Sequence, residues 1–166
     1  MRAHELTRRG ELVGDDIINP LVQNWLAGQS GSGFVFDGYP RTLGQAEALD
    51  DMLRARGMPL EQVLLLEADP AVLSRRVESR ASCLNCGNIV SIGLHVGSIE
   101  DRCPRCGGQL TRRSDDTQET LQNRLIEYHG KTEPLVRHYE QKRLLARVNS
   151  EPSPDEVFAA VIKILA

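Results

Sequence analysis

Residues 33–42, Gly-Phe-Val-Phe-Asp-Gly-Tyr-Pro-Arg-Thr, are the stretch around which the rest of the chain is organised. The segment begins as a short apolar run of the length expected for a buried strand, and it breaks at Gly38-Tyr39-Pro40. Thr42 then opens a helical pattern. Because α/β proteins hold ligands at the carboxyl ends of their strands, this order places Arg41 beside a ligand. Its planar guanidinium matches a phosphate or carboxylate, although a surface arginine after a turn gives the same sequence.

The rest of the chain alternates between helical and strand patterns, which is typical of an α/β fold with a parallel sheet. The continuous apolar run at residues 63–66 predicts a strand buried on both faces, and residues 144–148 are predicted to form a further strand. A helix is predicted over residues 42–56, with Gly57 as its stop, and the next starts at Asp69-Pro70 and carries Arg76 and Arg80 on one face. Further predicted helices are one that starts at Asp15 or Asp16, a long one that starts near Asp115 and Asp116, and a closing one over residues 155–165.

Composition limits the functional class. The 166 residues are 40% hydrophobic and 26% charged, which is ordinary for a globular protein of one domain with a small insertion. A net charge of −3 and a pI near 5.8 argue against a general nucleic-acid binder. With no apolar run near the length of a membrane span and no signal-peptide pattern, we expect a cytoplasmic protein without a membrane partner.

Four cysteines form two C-x-x-C pairs, Cys83 with Cys86 and Cys103 with Cys106. A C-x-x-C turn lets two thiolates converge on one cation, and two such pairs close a tetrahedral site with no open position. The spacing therefore predicts a structural Zn²⁺ site, with iron as the metal most easily confused with it. His95 lies between the pairs and is predicted to be a surface residue, since four cysteines complete the shell.

Residues 33–42 resemble the nucleoside monophosphate kinases, and the adenylate kinase family in particular. In that family a G-F-x-x-D-G-F/Y-P-R-T segment holds AMP, and this sequence meets every position. Residues 113–125 likewise meet the family pattern R-x-D-D-x-x-x-T-x-x-x-R-L, and the cysteine pairs match the zinc lid of the long-form enzymes. The resemblance implies a parallel-sheet, P-loop-kinase-like core with helices on both faces and a small zinc-stabilised β lid. It places the core at residues 1–80 and 113–166, with AMP-binding helices at about 1–32, and the lid at residues 81–112.

The resemblance also assigns an AMP site. Arg41 corresponds to the arginine that grips the AMP phosphate, Gln45 to the glutamine that reads adenine, and the Tyr39-Pro40 bond is usually cis in the family. A backbone segment near Gly10 lies over the adenine. The implied AMP-binding residues are Gly10, Leu12, Val13, Gly38, Tyr39, Arg41, Gln45, Arg113 and Arg124.

On the ATP side, the resemblance implies that Arg76 and Arg80 flank the lid and that Asn149 and Ser150 form the loop that meets the donor adenine. The implied catalytic residues are Arg80, Arg113, Arg124, Asp115 and Asp116. The arginines would stabilise the charge that develops in transfer, while the aspartates orient them. The implied reaction converts ATP and AMP into two ADP, with Mg²⁺ accompanying ATP, and serves purine nucleotide homeostasis.

The match begins in the middle of the family pattern, because family members open with a strand and a G-x-x-G-x-G-K loop that cradles phosphates. Gly130-Lys131-Thr132 ends like such a loop, but it lies in a helical pattern and residue 125 is leucine, so we reject it. We therefore expect an N-terminally truncated kinase, with the first strand and P-loop absent, that is inactive or nearly so alone. A full-length kinase would be a monomer, whereas a truncated one would associate through its exposed core.

Two alternatives stay open. The first is a non-catalytic, zinc-stabilised nucleotide-binding or interaction protein. The second is a zinc-ribbon nucleic-acid binder, which the acidic pI disfavours.

Overall fold

The computed structural model describes residues 9, 11–29 and 33–166. A helix precedes and follows both the first and the last strand, as the sequence predicts. In chain order the helices and strands are α1 (Asp15–Ala27), α2 (Leu43–Arg54), β1 (Val63–Glu67), α3 (Pro70–Ser79), β2 (Arg80–Cys83), β3 (Ile89–Ser91), β4 (Leu110–Thr111), α4 (Gln118–Glu127), a π-helical turn (Tyr128–Thr132), α5 (Pro134–Gln141), β5 (Leu145–Asn149) and α6 (Pro154–Leu165).

The parallel sheet is formed by β1 and β5. The two strands run in register from Val63 opposite Leu145 to Glu67 opposite Asn149, which confirms both predicted strands and the parallel α/β class. Their packing partners are α2 and α5, through the buried side chains of Ala46, Leu135 and Tyr139. The sheet therefore connects the segment after Arg41 to the helices that follow residue 113.

A second, smaller sheet is antiparallel, with β2 between β3 and β4. It carries its own core of Ala81, Val90 and Leu110 together with two of the cysteines, Cys83 and Cys103. This arrangement confirms the predicted β-rich insertion between two parts of the α/β chain.

The predicted strand at residues 33–36 is wrong. No described segment pairs with these residues, so they form no ladder, and Val35 is 87% exposed. The alternate side chains, Phe34 and Phe36, instead pack edge-on against Trp25, with ring centroids 5.3 and 5.4 Å away. The apolar run is therefore extended and fixed by aromatic packing rather than by strand pairing.

Capping residues begin three helices where the sequence indicates. Thr42 accepts from the Gln45 amide, Asp69 from the Ala71 amide, and Ser153 forms a capping box with Glu156. Gly57, with φ +65°, follows α2.

Three predictions about helices are wrong. Neither Asp15 nor Asp16 caps α1, because Gly14 is the N-cap residue and makes no side-chain cap. Arg80 is the first residue of β2 and so does not share a helix face with Arg76. The long helix is interrupted by the π-helical turn, and it starts at Gln118 after a Thr117 cap, so Asp115 and Asp116 precede it instead of capping it.

Candidate active site and metal centre

The turn after residue 37 positions Arg41. The Tyr39-Pro40 bond is cis, as the resemblance implies, and Gly38 has φ +70°. The Arg41 Nε donates to the Gly38 carbonyl at 2.7 Å, and a Cβ on Gly38 would lie 2.6 Å from Arg41 Nη2. Residue 38 therefore has to be glycine for two reasons, its left-handed backbone conformation and the close approach of the Arg41 guanidinium. Within the described part of the chain no carboxylate forms an ion pair with Arg41, which is exposed.

Gln45 is buried, and its side-chain amide is held at both ends. Its Oε1 accepts from the Arg41 backbone N–H at 2.7 Å, while its Nε2 donates to Asp15 Oδ1 at 2.8 Å. The second Asp15 oxygen accepts from the Thr42 hydroxyl at 2.8 Å. Sequence reasoning treated Asp15 only as a helix cap and missed this bridge, because nothing local indicates a partner 30 residues away.

Tyr39 completes the contact between α1 and the turn. Its hydroxyl donates to Asn19 Oδ1 at 3.0 Å and lies 3.3 Å from the Gln45 carbonyl. Burial, and then the negative charge of Asp15, raise the pKa of Tyr39, so its hydroxyl stays a neutral donor.

The segment before α1 contacts the region of Arg124. The Leu12 amide donates to Glu127 Oε2 at 3.4 Å, and Asn123 Nδ2 donates to the Arg9 carbonyl at 3.3 Å. Val13 beside it is half-buried, while Gly10 lies outside the described residues. Backbone groups of this segment are therefore fixed against α4, which carries Arg124.

The π-helical turn reaches the turn that contains Arg41. Thr132 Oγ1 donates to the Arg41 carbonyl at 2.9 Å, a contact across 91 residues of sequence. Such turns occur frequently at functional sites. Glu127 and Thr132 were not predicted as site residues, and no spacing in the sequence could have indicated them.

Arg113 and Arg124 meet on one carboxylate. Arg113 donates through Nε and Nη2 to the two oxygens of Asp115, both at 2.9 Å, and Arg124 Nη2 donates to Asp115 Oδ2 at 3.1 Å. Asp115 is 8% exposed. The Arg113 hydrogen bonds lower the pKa of Asp115 against the effect of burial, and Asp115 raises the pKa of Arg113, so the cluster stays ionised.

Arg80 pairs with the neighbouring carboxylate. Its Nη1 lies 3.4 Å from Asp116 Oδ1, whose side chain is only 2% exposed. Neither Asp116 oxygen has a hydrogen-bond partner within the described ranges. Two consecutive aspartates thus pair with three arginines from separate segments. Arg80 belongs to β2, Arg113 follows β4, and Arg124 belongs to α4.

Arg76 contacts the loop after β5. Its Nη2 donates to the Ser150 carbonyl at 2.6 Å and lies 3.3 Å from the Glu151 carbonyl. Ser150 is tied back to the end of β1, since its amide and hydroxyl donate to the Glu67 carbonyl, and Asn149 accepts from the Glu151 amide. The residues that the resemblance places on the ATP side therefore touch one another, apart from Arg80, which lies with the aspartates.

The four cysteine sulfurs form one cluster, with all Sγ atoms within 4.8 Å of one another. The Cys86–Cys106, Cys83–Cys106 and Cys86–Cys103 separations are 3.3, 3.5 and 3.8 Å. A tetrahedral zinc with Zn–S bonds of 2.3 Å requires sulfurs about 3.8 Å apart. The donor set and its size are therefore compatible with zinc. His95 is exposed and accepts from the Ser91 amide, away from the sulfurs, as predicted.

Backbone amides stabilise thiolates in this cluster. The Cys86 amide lowers the pKa of Cys83. Burial raises the pKa of Cys103, but the amides of Arg105 and Cys106, together with the neighbouring sulfurs, outweigh it and lower that pKa to about 6. The Gly108 amide acts in the same sense on Cys106, but the neighbouring sulfurs outweigh it and raise that pKa to about 12. Sulfurs this close cannot all ionise by themselves, whereas a divalent cation would deprotonate them together.

Known proteins resemble this chain over nearly its whole length. A family model described as adenylate kinase matches residues 1–144. The chain is 39% identical to the adenylate kinase of Thermodesulfovibrio yellowstonii, over 95% of this chain and 74% of that protein. It is 38% identical to the adenylate kinase of Novosphingobium aromaticivorans, over 100% of this chain and 78% of that protein. It is 39% identical to the adenylate kinase of Paracoccus denitrificans, over 99% of this chain and 75% of that protein.

A match of this extent defines a phosphotransferase of the nucleoside monophosphate kinase class. Within that class, the chain belongs to the adenylate kinase family. The substrates of that family are ATP, AMP and ADP, and its members use Mg²⁺ with ATP. Over the described ranges, no helix combines the length and the apolar character that crossing a bilayer needs.

Proposed function

We propose that this chain transfers the terminal phosphoryl group of Mg·ATP to AMP, giving two ADP, and so serves purine nucleotide homeostasis. The observation that carries the proposal is the gathering of Arg80, Arg113 and Arg124 on Asp115 and Asp116. Phosphoryl transfer needs little covalent help from a protein, since its barrier is lowered mainly by positioning and by fixed positive charge. Arginine groups already oriented by carboxylates supply such charge without reorganising.

The acceptor side is proposed to bind AMP through the turn at residues 38–45. Arg41 is exposed and free of carboxylates within the described chain, which suits a phosphate. Gln45 would contact the adenine, Tyr39 and Gly38 would shape the turn, and Leu12 and Val13 would cover the base from the segment before α1. Arg113 and Arg124 would reach the phosphates of both substrates.

The donor side is proposed to include Arg76, Arg80, Asn149 and Ser150. The contact of Arg76 with the Ser150 carbonyl supports a common surface for ATP next to the end of β5. The small sheet, proposed as a lid over residues 81–112, would close over ATP and exclude water, so that AMP and not water accepts the phosphoryl group. Cys83, Cys86, Cys103 and Cys106 would hold a structural zinc ion that takes no part in the chemistry.

The test is formation of ADP from Mg·ATP and AMP by the purified chain, together with binding of each nucleotide by calorimetry. ADP formation at about 1–100 per second supports the proposal and refutes the expectation from the sequence that the chain alone is inactive or nearly so. In an active chain, Arg113→Gln should lower the rate about 10²- to 10³-fold. Arg54→Gln is the matched control, since it removes the same charge from a surface ion pair with Asp51.

Two other outcomes contradict the proposal. Binding of AMP and ATP without ADP formation would favour the alternative of a non-catalytic, zinc-stabilised nucleotide-binding protein. Salt-dependent binding to DNA or RNA in place of nucleotide binding would favour the nucleic-acid alternative.

A further inference from the structure

The carboxylate of Asp15 lies between two helices that both contribute to the AMP site. It belongs to the first turn of α1, yet its oxygens accept from Gln45 Nε2 and from Thr42 Oγ1, each at 2.8 Å. Thr42 caps α2, and a Cβ on Gly44 would lie 3.0 Å from Asp15 Oδ2. An anion this near a helix N-terminus is favoured by the helix dipole.

The Gln45 amide has one permitted orientation at this place. Its Oε1 faces the Arg41 backbone N–H and its Nε2 faces the Asp15 carboxylate. Rotating the amide by 180° would set two donors against each other at Arg41 and two acceptors against each other at Asp15. Because Gln45 is only 3% exposed, water could not compensate for either repulsion.

Fixing the amide also fixes what it can offer a ligand. A glutamine amide has two N–H donors and an oxygen with two lone pairs, and one of each is used by Asp15 and Arg41. The edge that remains presents one acceptor and one donor in a set order. A glutamine amide used in this way pairs with adenine, whose amino group donates and whose ring nitrogen accepts.

We propose that Asp15 is a positioning residue that sets the base specificity of the AMP site by holding the Gln45 amide in the order that matches adenine. This inference rests on the proposed function, in which Gln45 contacts the base of AMP. Hypoxanthine tests the order of the groups directly. Hypoxanthine is the base of IMP. On the edge formed by position 6 and N1, it has a carbonyl where adenine has an amino group and an N–H where adenine has a ring acceptor, so a pose that uses this edge needs the rotated amide.

The Thr42 hydroxyl strengthens the constraint. Its proton is directed to Asp15, which leaves its lone pairs for the Gln45 backbone N–H at 3.1 Å. The same carboxylate therefore orients the cap of α2 and the amide one turn along that helix. A neutral asparagine at residue 15 would keep the size of the side chain but could donate as well as accept, so both amide orientations would become accessible.

The experiment measures AMP and IMP dissociation constants by calorimetry for the wild-type chain, Asp15→Asn and Asp16→Asn. The wild-type chain should prefer AMP, and Asp15→Asn should reduce the ratio of the two constants by about tenfold, the effect of one charge-assisted hydrogen bond. Asp16→Asn is the matched control because Asp16 is the adjacent, exposed carboxylate, and it should leave the ratio unchanged. Should Asp15→Asn fail to fold, Asp15→Ser replaces it under the same criteria, since a hydroxyl also donates or accepts.

The variant Gln45→Leu separates the inference about Asp15 from the proposed AMP site. If Gln45→Leu abolishes the preference but Asp15→Asn keeps it, the inference about Asp15 is overturned while the proposed AMP site stands. If neither Gln45→Leu nor Asp15→Asn changes the preference, or the wild-type chain shows none, the proposed AMP site itself fails. Adding Asp15→Asn to Gln45→Leu should have no further effect on the ratio, and a further loss would show that Asp15 acts independently of Gln45.

Discussion

Replacing Gly38 with alanine is expected to weaken AMP binding by much more than its effect on stability would suggest. Gly38 has φ +70°, a left-handed conformation that costs an alanine about 1–2 kcal/mol. In a chain of this size each kcal/mol lowers the melting temperature by about 2–4 °C, so the strain alone predicts a fall of about 2–8 °C.

The added methyl group has a second effect, on Arg41. It would lie 2.6 Å from Nη2, closer than a non-bonded pair tolerates, so the guanidinium would have to move. The end of an arginine is flexible, so the clash costs little stability but displaces the guanidinium from its hydrogen bond to the Gly38 carbonyl. The proposed charged hydrogen bond from Arg41 to the AMP phosphate would be worth about 1.5–3 kcal/mol, so its loss predicts AMP affinity lower by about 10- to 150-fold.

Gly57→Ala is the matched control. Gly57 has φ +65°, and nothing lies within 4 Å of an added Cβ, so this variant carries the same backbone strain without touching Arg41. Thermal denaturation and AMP calorimetry on both variants separate the two effects. The two melting temperatures should fall together while only Gly38→Ala loses affinity. Equal AMP affinity in the two variants would refute the argument from the close approach of Arg41.

Two further predictions concern the cysteine cluster and the acidic cluster. Cys103→Ser should abolish the binding of one zinc ion per chain. It should also remove hydrogen-exchange protection from residues 80–111, while β1 and β5 keep their protection. A variant that retains one zinc ion and this protection would contradict a structural role of the metal. Asp115→Asn should make the stability of the chain less sensitive to acid. The Arg113 hydrogen bonds lower the pKa of Asp115, so the ionised Asp115 stabilises the fold fully above the unfolded carboxyl pKa of about 3.9. That stabilisation is lost as pH falls through the lower folded pKa. The urea midpoints at pH 7 and pH 3 should therefore differ more for the wild-type chain than for the variant. Equal differences would contradict a stabilising role of the ionised Asp115.

The features that the sequence predicts well are those whose cause is local. Thr42, Asp69 and Ser153 begin helices because their side chains bond amides two or three residues later. The apolar run of β1 is short and continuous, as buried parallel strands require, whereas that of β5 is interrupted by Arg147. The two C-x-x-C pairs belong to the same group, since each turn places its two sulfurs by itself.

The features that the sequence could not give depend on partners far away. Residues 33–36 have a strand-like composition, but a strand exists only if another pairs with it, and no described segment does. Asp15 looks like a helix cap in the sequence, but its carboxylate accepts hydrogen bonds from Thr42 and Gln45, which lie 27 and 30 residues further along the chain. Thr132, which donates to the Arg41 carbonyl, had no pattern to mark it.

The acidic cluster shows why positioned arginines can act without first being released. A guanidinium has five N–H donors. Asp115 takes two from Arg113 and one from Arg124, and over the described residues neither side chain donates to any other group. Three donors on Arg113 and four on Arg124 are thus left for a phosphate, on side chains that are 43% and 36% exposed. An anion can therefore bind both arginines while Asp115 keeps its contacts. In the proposed reaction the charge would already be in place when the phosphoryl group moves.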